Sequence, residues 1–130
     1  MMSEGGGEKL ILRTGIVVAG AYADRVRRVL FAQLSQKIKS GELDSKEVAR
    51  AAGELNTILY DAFVKYLALS KGDLVRIEAP YKVSDGRITW DLRELKVRAF
   101  REIGEEVVEK AIEEALKARE AQQAREEEAV

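Results

Sequence analysis

The stretch TGIVVAGAYADRVRRVLFAQLSQKIKS, residues 14–40, predicts a long helix with a wide apolar face, around which the rest of the chain is organised. At 100° per residue from Tyr22, the large apolar side chains fill one broad arc, and Arg27 falls inside it at about 140°. A charge there needs a partner or a ligand, because burying it bare costs several kcal/mol. Glycines weaken the early turns, so the helix begins either near Ile16 or after Gly20.

Composition indicates one globular domain without enzymatic chemistry. The chain has 130 residues, of which 46% are hydrophobic and 35% charged. No run approaches the roughly 18 apolar residues of a membrane span, so we expect a cytoplasmic protein that does not contact a membrane. Because the sequence contains no histidine and no cysteine, the commonest general base, metal ligand and thiol nucleophile are absent. We therefore predict no enzyme activity, no cofactor and no metal site.

The scarcity of heat-labile residues is typical of a thermophile's protein. The sequence has one asparagine, four glutamines, two methionines and no cysteine, together with abundant glutamate, lysine and arginine.

Charge is segregated along the chain, although the net charge is only −1. Residues 9–39 carry seven basic side chains against one acid, and residues 94–130 carry eleven acids against seven bases. A chain of this kind can present a basic face while its overall charge stays near zero. The alternative is that each cluster simply solvates a helix surface.

A second helix and a β-hairpin are predicted in the middle of the chain. Apolar residues recur at helical spacing over residues 45–70, after an N-cap at Asp44 or Ser45. The period then changes to two over residues 73–92, with a turn at 84–86, which indicates a hairpin. Pro80 cannot donate a ladder hydrogen bond, so we expect it at a sheet edge or a bulge.

The two ends of the chain are predicted to differ in structure. Residues 9–14 form a short strand or an extended arm, and residues 93–128 form one long helix. This helix outgrows a domain of this size, so we expect it to join subunits in a homo-oligomer, a dimer or a tetramer. The predicted seam consists of Phe100, Ile103, Val107, Val108, Ile112 and Leu116.

These elements together predict an α+β fold: two packed helices with a β-hairpin or small antiparallel sheet, followed by the long oligomerisation helix. The expected division is a flexible N-terminus (1–8), one α+β domain (9–93), and a C-terminal helix with an acidic tail (94–130).

Basic and aromatic residues occur together in the first helix and the hairpin, as expected of a protein that holds single-stranded nucleic acid. Cations contact the phosphates of such a strand, and aromatic rings stack on its bases. For Phe31 and Trp90, packing in the core is an equally serious alternative. The candidate nucleic-acid-binding residues are Arg13, Tyr22, Arg25, Arg27, Arg28, Phe31, Arg76, Tyr81, Lys82, Arg87 and Trp90.

The segment LRTGIVVAGAYADRVRRVLFAQL, followed by a second helix, a hairpin containing ITW and a terminal helix, resembles the ThermoDBP-related proteins. These are single-stranded DNA-binding proteins of thermophilic archaea that lack an OB-fold. The resemblance covers about residues 10–92, and it implies a cleft lined by apolar aromatic residues and flanked by basic ones. It also implies that the C-terminal helix serves oligomerisation. In this sequence the candidates for the cleft are Tyr22, Arg25, Arg28, Phe31, Arg76 and Trp90.

The function expected from residues and resemblance together is sequence-tolerant binding of single-stranded DNA by a homo-oligomer, with residues 9–93 as the single-stranded nucleic-acid-binding domain. Two alternatives remain open. Helix, hairpin and a coiled-coil-like helix also suit a protein-interaction or chaperone-like oligomer of prefoldin-like design. The same fold also suits RNA binding, although no feature of the sequence indicates recognition of a 2′-hydroxyl.

Overall fold

A four-stranded antiparallel sheet with helices on one face forms the body of the protein in the computed structural model, which describes residues 7–129. The α+β prediction is confirmed. The predicted flexible N-terminus lies outside the described residues except for Gly7 and Glu8, and Glu8 pairs with Val83 in the sheet. In chain order the elements are β1 (Glu8–Val18), α1 (Tyr22–Gln33), α2 (Ser35–Lys39), α3 (Ser45–Tyr60), β2 (Leu74–Ser84), β3 (Arg87–Trp90), β4 (Lys96–Phe100) and α4 (Glu105–Ala129).

Strand β2 is the centre of the sheet. β1 pairs with it along one edge, whereas β3 and β4 share the other edge, each beside one half of β2. Pro80 lies in this central strand, so the expected edge position is wrong. Its carbonyl accepts a hydrogen bond from the backbone N–H of Asp91 at 2.9 Å, where the chain leaves β3. Because N–H and C=O of one strand residue point to the same side, the missing N–H falls in the gap between β3 and β4.

Alternation along β2 separates a buried face from an open one. The odd-numbered residues from Val75 to Val83 are buried, and α1 and α3 pack on that face. Tyr81 and Trp90 meet edge to face at 5.1 Å within this core. The Trp90 indole donates to the carbonyl of Ala51 at 2.8 Å, and the Tyr81 hydroxyl donates to the side chain of Gln33 at 2.8 Å. Both rings therefore stabilise the packing of the helices on the sheet.

The organising stretch of the sequence is divided between a strand and two helices. β1 runs through to Val18, a 3₁₀ turn covers Ala19–Ala21, and α1 begins after Gly20, as one of the two alternatives predicted. A bulge between Arg13 and Ile16, with Gly15 at φ +65°, turns Ile16 to the open face.

Arg27 is exposed, so its predicted place in the apolar face of the helix is wrong. The helix breaks at Leu34, which separates Ile38 from the face on which Arg27 was placed. The guanidinium of Arg27 lies over the Phe31 ring, 5.0 Å from its centroid, and remains in contact with solvent.

The second predicted helix is confirmed with an irregular end. α3 continues into a π-helical turn, Asp61–Tyr66, where the N–H of Leu67 donates to the carbonyl of Ala62. A carboxylate anchors the other end of α3 to β3. Glu47 accepts from the backbone N–H of Ile88 at 2.9 Å and from Arg50 at 2.7 Å, which lowers the pKa of Glu47 to about 2.

The prediction of one helix from Arg93 is wrong for its first residues. Leu92–Glu94 is a 3₁₀ turn and Lys96–Phe100 is β4, while α4 extends from Glu105 through the acidic residues to Ala129. Phe100 and Ile103 therefore do not belong to the seam of this helix. No residue of α4 between Glu105 and Ala129 is buried.

Asp73 anchors the segment that leads into α4. This carboxylate is buried and accepts from the backbone N–H of Ser70 at 2.7 Å and of Glu102 at 3.2 Å. The Ser70 N–H, with help from the Glu102 N–H and Arg101, keeps the pKa of Asp73 below its usual value.

Candidate nucleic-acid interface

The open face of the sheet concentrates positive charge. Strand alternation turns polar residues of three strands toward solvent here, because the helices occupy the other face. We call this surface the basic sheet face. Its basic residues are Lys9, Arg13, Arg76, Lys82, Lys96 and Arg98.

Two cross-strand pairs on this face place like charges directly opposite each other. Lys9 pairs with Lys82 across β1 and β2, and Arg76 pairs with Arg98 across β2 and β4. Like charges in such positions destabilise a sheet. The amount is comparable to the roughly 0.2–1 kcal/mol by which a pair of opposite charges stabilises it. The basic sheet face contains two such pairs, and clustered positive charge of this kind is expected of an anion-binding site.

Apolar side chains adjoin these charges at one end of the face, where Ile16 lies beside Arg76, and Val18 and Phe100 lie in the next row. Ile16 is 58% exposed and Val18 is 44% exposed, and Phe100 on β4 is 37% exposed with the guanidinium of Arg98 at 5.5 Å from its ring. Exposed apolar groups next to cations can contact the faces of bases while the cations contact phosphates.

A hollow of about 380 Å³ opens on the basic sheet face near the middle of β2. Ile11 and Pro80 provide apolar walls, and Asp91 and Glu94 stand on the side of the 3₁₀ turn. Glu78 lies at its edge, with Lys96 opposite on β4. Oε2 of Glu78 accepts from Nε of Arg13 at 3.3 Å and is 3.7 Å from Nη2 of Arg76.

An aromatic cleft of about 200 Å³ lies where α1, the π-helical turn and the segment before β2 meet. Tyr22 and Phe63 meet edge to face at 5.0 Å, and the Tyr22 hydroxyl donates to the backbone carbonyl of Asn56 at 3.1 Å. Burial, assisted by nearby Tyr60, raises the pKa of Tyr22. The residues that line the cleft are Ala19, Gly20, Tyr22, Tyr60, Phe63, Val64, Leu69, Ser70 and Lys71.

The predicted candidates on the strands divide into two groups. Arg13, Arg76 and Lys82 lie on the basic sheet face as described. Arg87 follows the same alternation, but its guanidinium lies 3.7 Å from Glu47 at the helical side of the sheet.

The candidates on the first helix do not form one surface. Arg25 donates to the backbone carbonyl of Thr14 at 2.8 Å and so ties α1 to β1. Arg28 pairs with Asp24 at 2.9 Å, an exposed contact that contributes little to stability. Phe31 is half-buried, packs against the core and supports Arg27.

Tyr81 and Trp90 are buried, although both are among the predicted nucleic-acid-binding residues. Tyr81 is 0% exposed and Trp90 is 6% exposed, so neither ring can stack on a base in this structure. Burial also raises the pKa of the Tyr81 hydroxyl.

Three residues that line the two surfaces are absent from the predicted candidates. Lys96 and Arg98 were assigned to a helix, although the alternation in KVRAF is the signal of a strand with both basic side chains on one face. Tyr60 lies in the predicted second helix, and no clear sequence signal indicates that it is 50% exposed or that a π-helical turn follows it. Phe63, predicted on the apolar stripe of the same helix, is 2% exposed and lies in the core as predicted, although its ring also lines the cleft.

Two further expectations concern metals and membranes. Within residues 7–129 no group of three or more acidic residues has the arrangement of a metal site. None of the helices described here is long and apolar enough to cross a membrane.

Comparison with known proteins identifies the family. The family model described as ThermoDBP-related, archaea, matches residues 12–89. The chain belongs to the ThermoDBP-related family. The match begins within β1 and ends within β3, and it includes Arg13, Arg76 and Lys82.

Two solved structures share this ThermoDBP-related fold. The chain is 44% identical to apeThermo-DBP-RP2, crystallised bound to ssDNA dT10, with a TM-score of 0.78 over 90% of this chain and 54% of that one. It is 35% identical to pfuThermo-DBP-RP1, with a TM-score of 0.65 over 92% of this chain and 84% of that one. This chain thus spans about half the length of the first. No curated protein gives a significant match.

Proposed function

We propose that this protein binds single-stranded DNA with little sequence preference, as a homo-oligomer, and that it is not an enzyme. The basic sheet face contacts the phosphates, and its apolar side chains together with the aromatic cleft contact bases. A ThermoDBP-related protein crystallised with ssDNA dT10 supports the choice of ligand.

The like-charge pairs carry this proposal. Lys9–Lys82 and Arg76–Arg98 each repel within the free protein, and a bound phosphate chain removes that repulsion. Binding is therefore more favourable, because it relieves a repulsion that is present in the free protein. A purely structural sheet surface would place opposite charges in these positions.

The aromatic cleft supplies the second part of the binding surface. Val18 ends β1 on the open face, and Ala19 and Gly20, the next two residues, line the cleft. Lys71 lines the same cleft as Tyr22 and Tyr60 and contributes its positive charge to this surface. A single-stranded DNA that leaves the basic sheet face past Val18 would thus reach aromatic rings on which one of its bases can stack.

Helix α4 is the proposed oligomerisation element. Its 25 residues extend about 37 Å at 1.5 Å per residue. Val107, Ile112 and Leu116 are each more than half exposed, at 62%, 56% and 56%, while Val108 is 44% exposed. A helix with such a seam and no buried residue gains its stability by packing against another helix, and a second copy of the chain offers a matching seam.

Fluorescence anisotropy with labelled oligonucleotides tests the proposal. We expect tight binding of single-stranded oligo(dT), weaker binding of the duplex, and a steep fall of affinity with salt, with a log–log slope of about −4 for six phosphate contacts. Preference for the RNA counterpart would redirect the proposal to RNA. A flat salt response would contradict the role of the basic sheet face.

Matched variants separate the sheet from the helical layer. Lys9→Ala with Lys82→Ala removes one like-charge pair from the sheet face, whereas Lys39→Ala with Lys46→Ala removes the same charge from exposed positions on α2 and α3. We expect the first variant to weaken binding and to flatten the salt slope by about 1.4, and the second to leave both unchanged.

A further inference from the structure

Glu78 is the acidic residue among the outward-facing strand positions of the basic sheet face. It lies in β2 between Arg76 and Pro80, with Arg13 opposite on β1 and Lys96 opposite on β4. For a surface that only attracts phosphates, a carboxylate at this central position is unfavourable, since it repels the phosphate chain. Its presence indicates a different contact at this point.

The geometry leaves one oxygen of this carboxylate available. Both contacts to arginine within residues 7–129 use Oε2, at 3.3 Å from Arg13 and 3.7 Å from Arg76. Oε1 makes neither contact, and Glu78 lines the 380 Å³ hollow whose apolar walls are Ile11 and Pro80. Arg13 donates a hydrogen bond to Oε2, and Arg76 adds a longer ionic contact to the same atom, so both guanidinium groups orient the carboxylate through one oxygen.

We propose that Glu78 is a specificity-determining residue, whose carboxylate accepts a hydrogen bond from the amino group of a nucleobase seated in this hollow. The proposal rests on the proposed single-strand binding and adds a modest base preference to it. Cytosine presents an N4 amino donor that a carboxylate accepts. Thymine presents a carbonyl oxygen at the same position, which the carboxylate repels. Phosphates are held by the cations around the hollow, and the base faces the carboxylate of Glu78. The other two carboxylates of the lining, Asp91 and Glu94, lie on the side of the 3₁₀ turn.

Paired homopolymers test this preference. Oligo(dC) and oligo(dT) of equal length are compared by anisotropy at mildly alkaline pH, where cytosine is neutral. We expect oligo(dC) to bind about fivefold more tightly, the net effect of one hydrogen bond. Equal affinity for the two strands would overturn the role of Glu78 while leaving single-strand binding intact. Failure to bind either strand would instead contradict the proposed function.

Glu78→Gln supplies the decisive variant, and Glu94→Gln on the rim of the same hollow is its control. Both remove one negative charge, so both should raise affinity for both strands. A glutamine amide at position 78 can donate to thymine or accept from cytosine. Of these two variants, therefore, only Glu78→Gln should bring the ratio of the oligo(dC) and oligo(dT) affinities close to one. Glu78→Met, which removes the carboxylate at similar side-chain length, should give the same ratio. A fivefold ratio that persists in both Glu78 variants would overturn the proposal.

Discussion

Arg76 and Arg98 lie directly opposite each other on β2 and β4, with both guanidinium groups on the open face of the sheet. Neighbouring Glu78 is 3.7 Å from Arg76 and shares its carboxylate oxygen with Arg13. Arg98 instead lies 5.5 Å from the ring of Phe100. Repulsion between the two arginines is therefore only partly compensated within the described residues.

Replacing Arg98 should change the stability of the fold and the affinity for DNA in opposite directions. In Arg98→Thr the repulsion disappears and a residue that favours strands takes its place. We expect the free energy of unfolding to rise by about 0.5 kcal/mol, and the affinity for oligo(dT) to fall with a salt slope flatter by about 0.7. Thermal unfolding and salt-dependent anisotropy measure the two effects.

A loss of both stability and affinity in Arg98→Thr would contradict this account. The variant Lys110→Thr, which removes a cation from exposed α4, controls for the change in net charge. It should leave single-strand affinity unchanged.

Tyr60 offers a test of the aromatic cleft, because its ring lines the cleft and is 50% exposed. Tyr60→Ala should weaken oligo(dT) binding by about 1–3 kcal/mol if the ring stacks on a base. The fold should lose little stability, since half of the side chain is already in contact with solvent. Tyr66→Ala is the matched control, because Tyr66 is 82% exposed and is not among the residues that line the cleft. Equal effects of the two variants would remove the cleft from the binding surface.

Glu47 links the stability of the fold to acid pH. Its pKa is about 2 in the folded protein, against the ordinary 4.5, so the deprotonated carboxylate stabilises the native state. This contribution is present above about pH 4.5 and is lost as pH falls toward 2. It amounts to about 2–3 kcal/mol for a carboxylate of which only 10% of the side chain is exposed.

The variant Glu47→Gln measures this contribution. We expect it to lower the unfolding free energy at neutral pH and to flatten its decline between pH 4.5 and pH 2. Chemical denaturation at a series of pH values reads out both changes. A variant that keeps the wild-type decline would assign acid sensitivity to other carboxylates, of which Asp73 is the first to examine because its pKa is also lowered.

The fold was predictable from local sequence patterns where those patterns were strong. The turn at Asp85 and Gly86, with φ of 51° and 73°, lies where the hairpin signal placed it. Two elements were missed because their cause is tertiary. Residues 16–18 begin the helix in one of the two predicted alternatives, yet they pair with β2. β4 is only five residues long and owes its place to the unoccupied half of the β2 edge.

The candidate site was predictable in chemistry more than in position. Arg13 belongs to the basic excess of residues 9–39, and Arg76 and Lys82 belong to the basic and aromatic residues of the hairpin. All three share one face because strand alternation places them there. Trp90 and Tyr81 have the residue types of a stacking site, but alternation turns them inward. Residue type alone cannot separate a core aromatic from a stacking one, because both functions use the same large ring.

Truncation tests the role of α4. A chain that ends at Gly104 keeps the sheet, α1, α3 and the contacts of Asp73 with Ser70 and Glu102, and no side chain of α4 is buried between Glu105 and Ala129. We therefore expect this truncated protein to unfold cooperatively but to sediment with fewer subunits than the full chain. The double variant Ile112→Glu with Leu116→Glu should have the same effect without shortening the helix, since it places charge in the seam. Glu109→Lys, a charge change at an exposed acid of the same helix, should leave the subunit number unchanged. If the full chain and the truncated one sediment alike, α4 is not the oligomerisation element, and the exposed side chains of its seam require another partner.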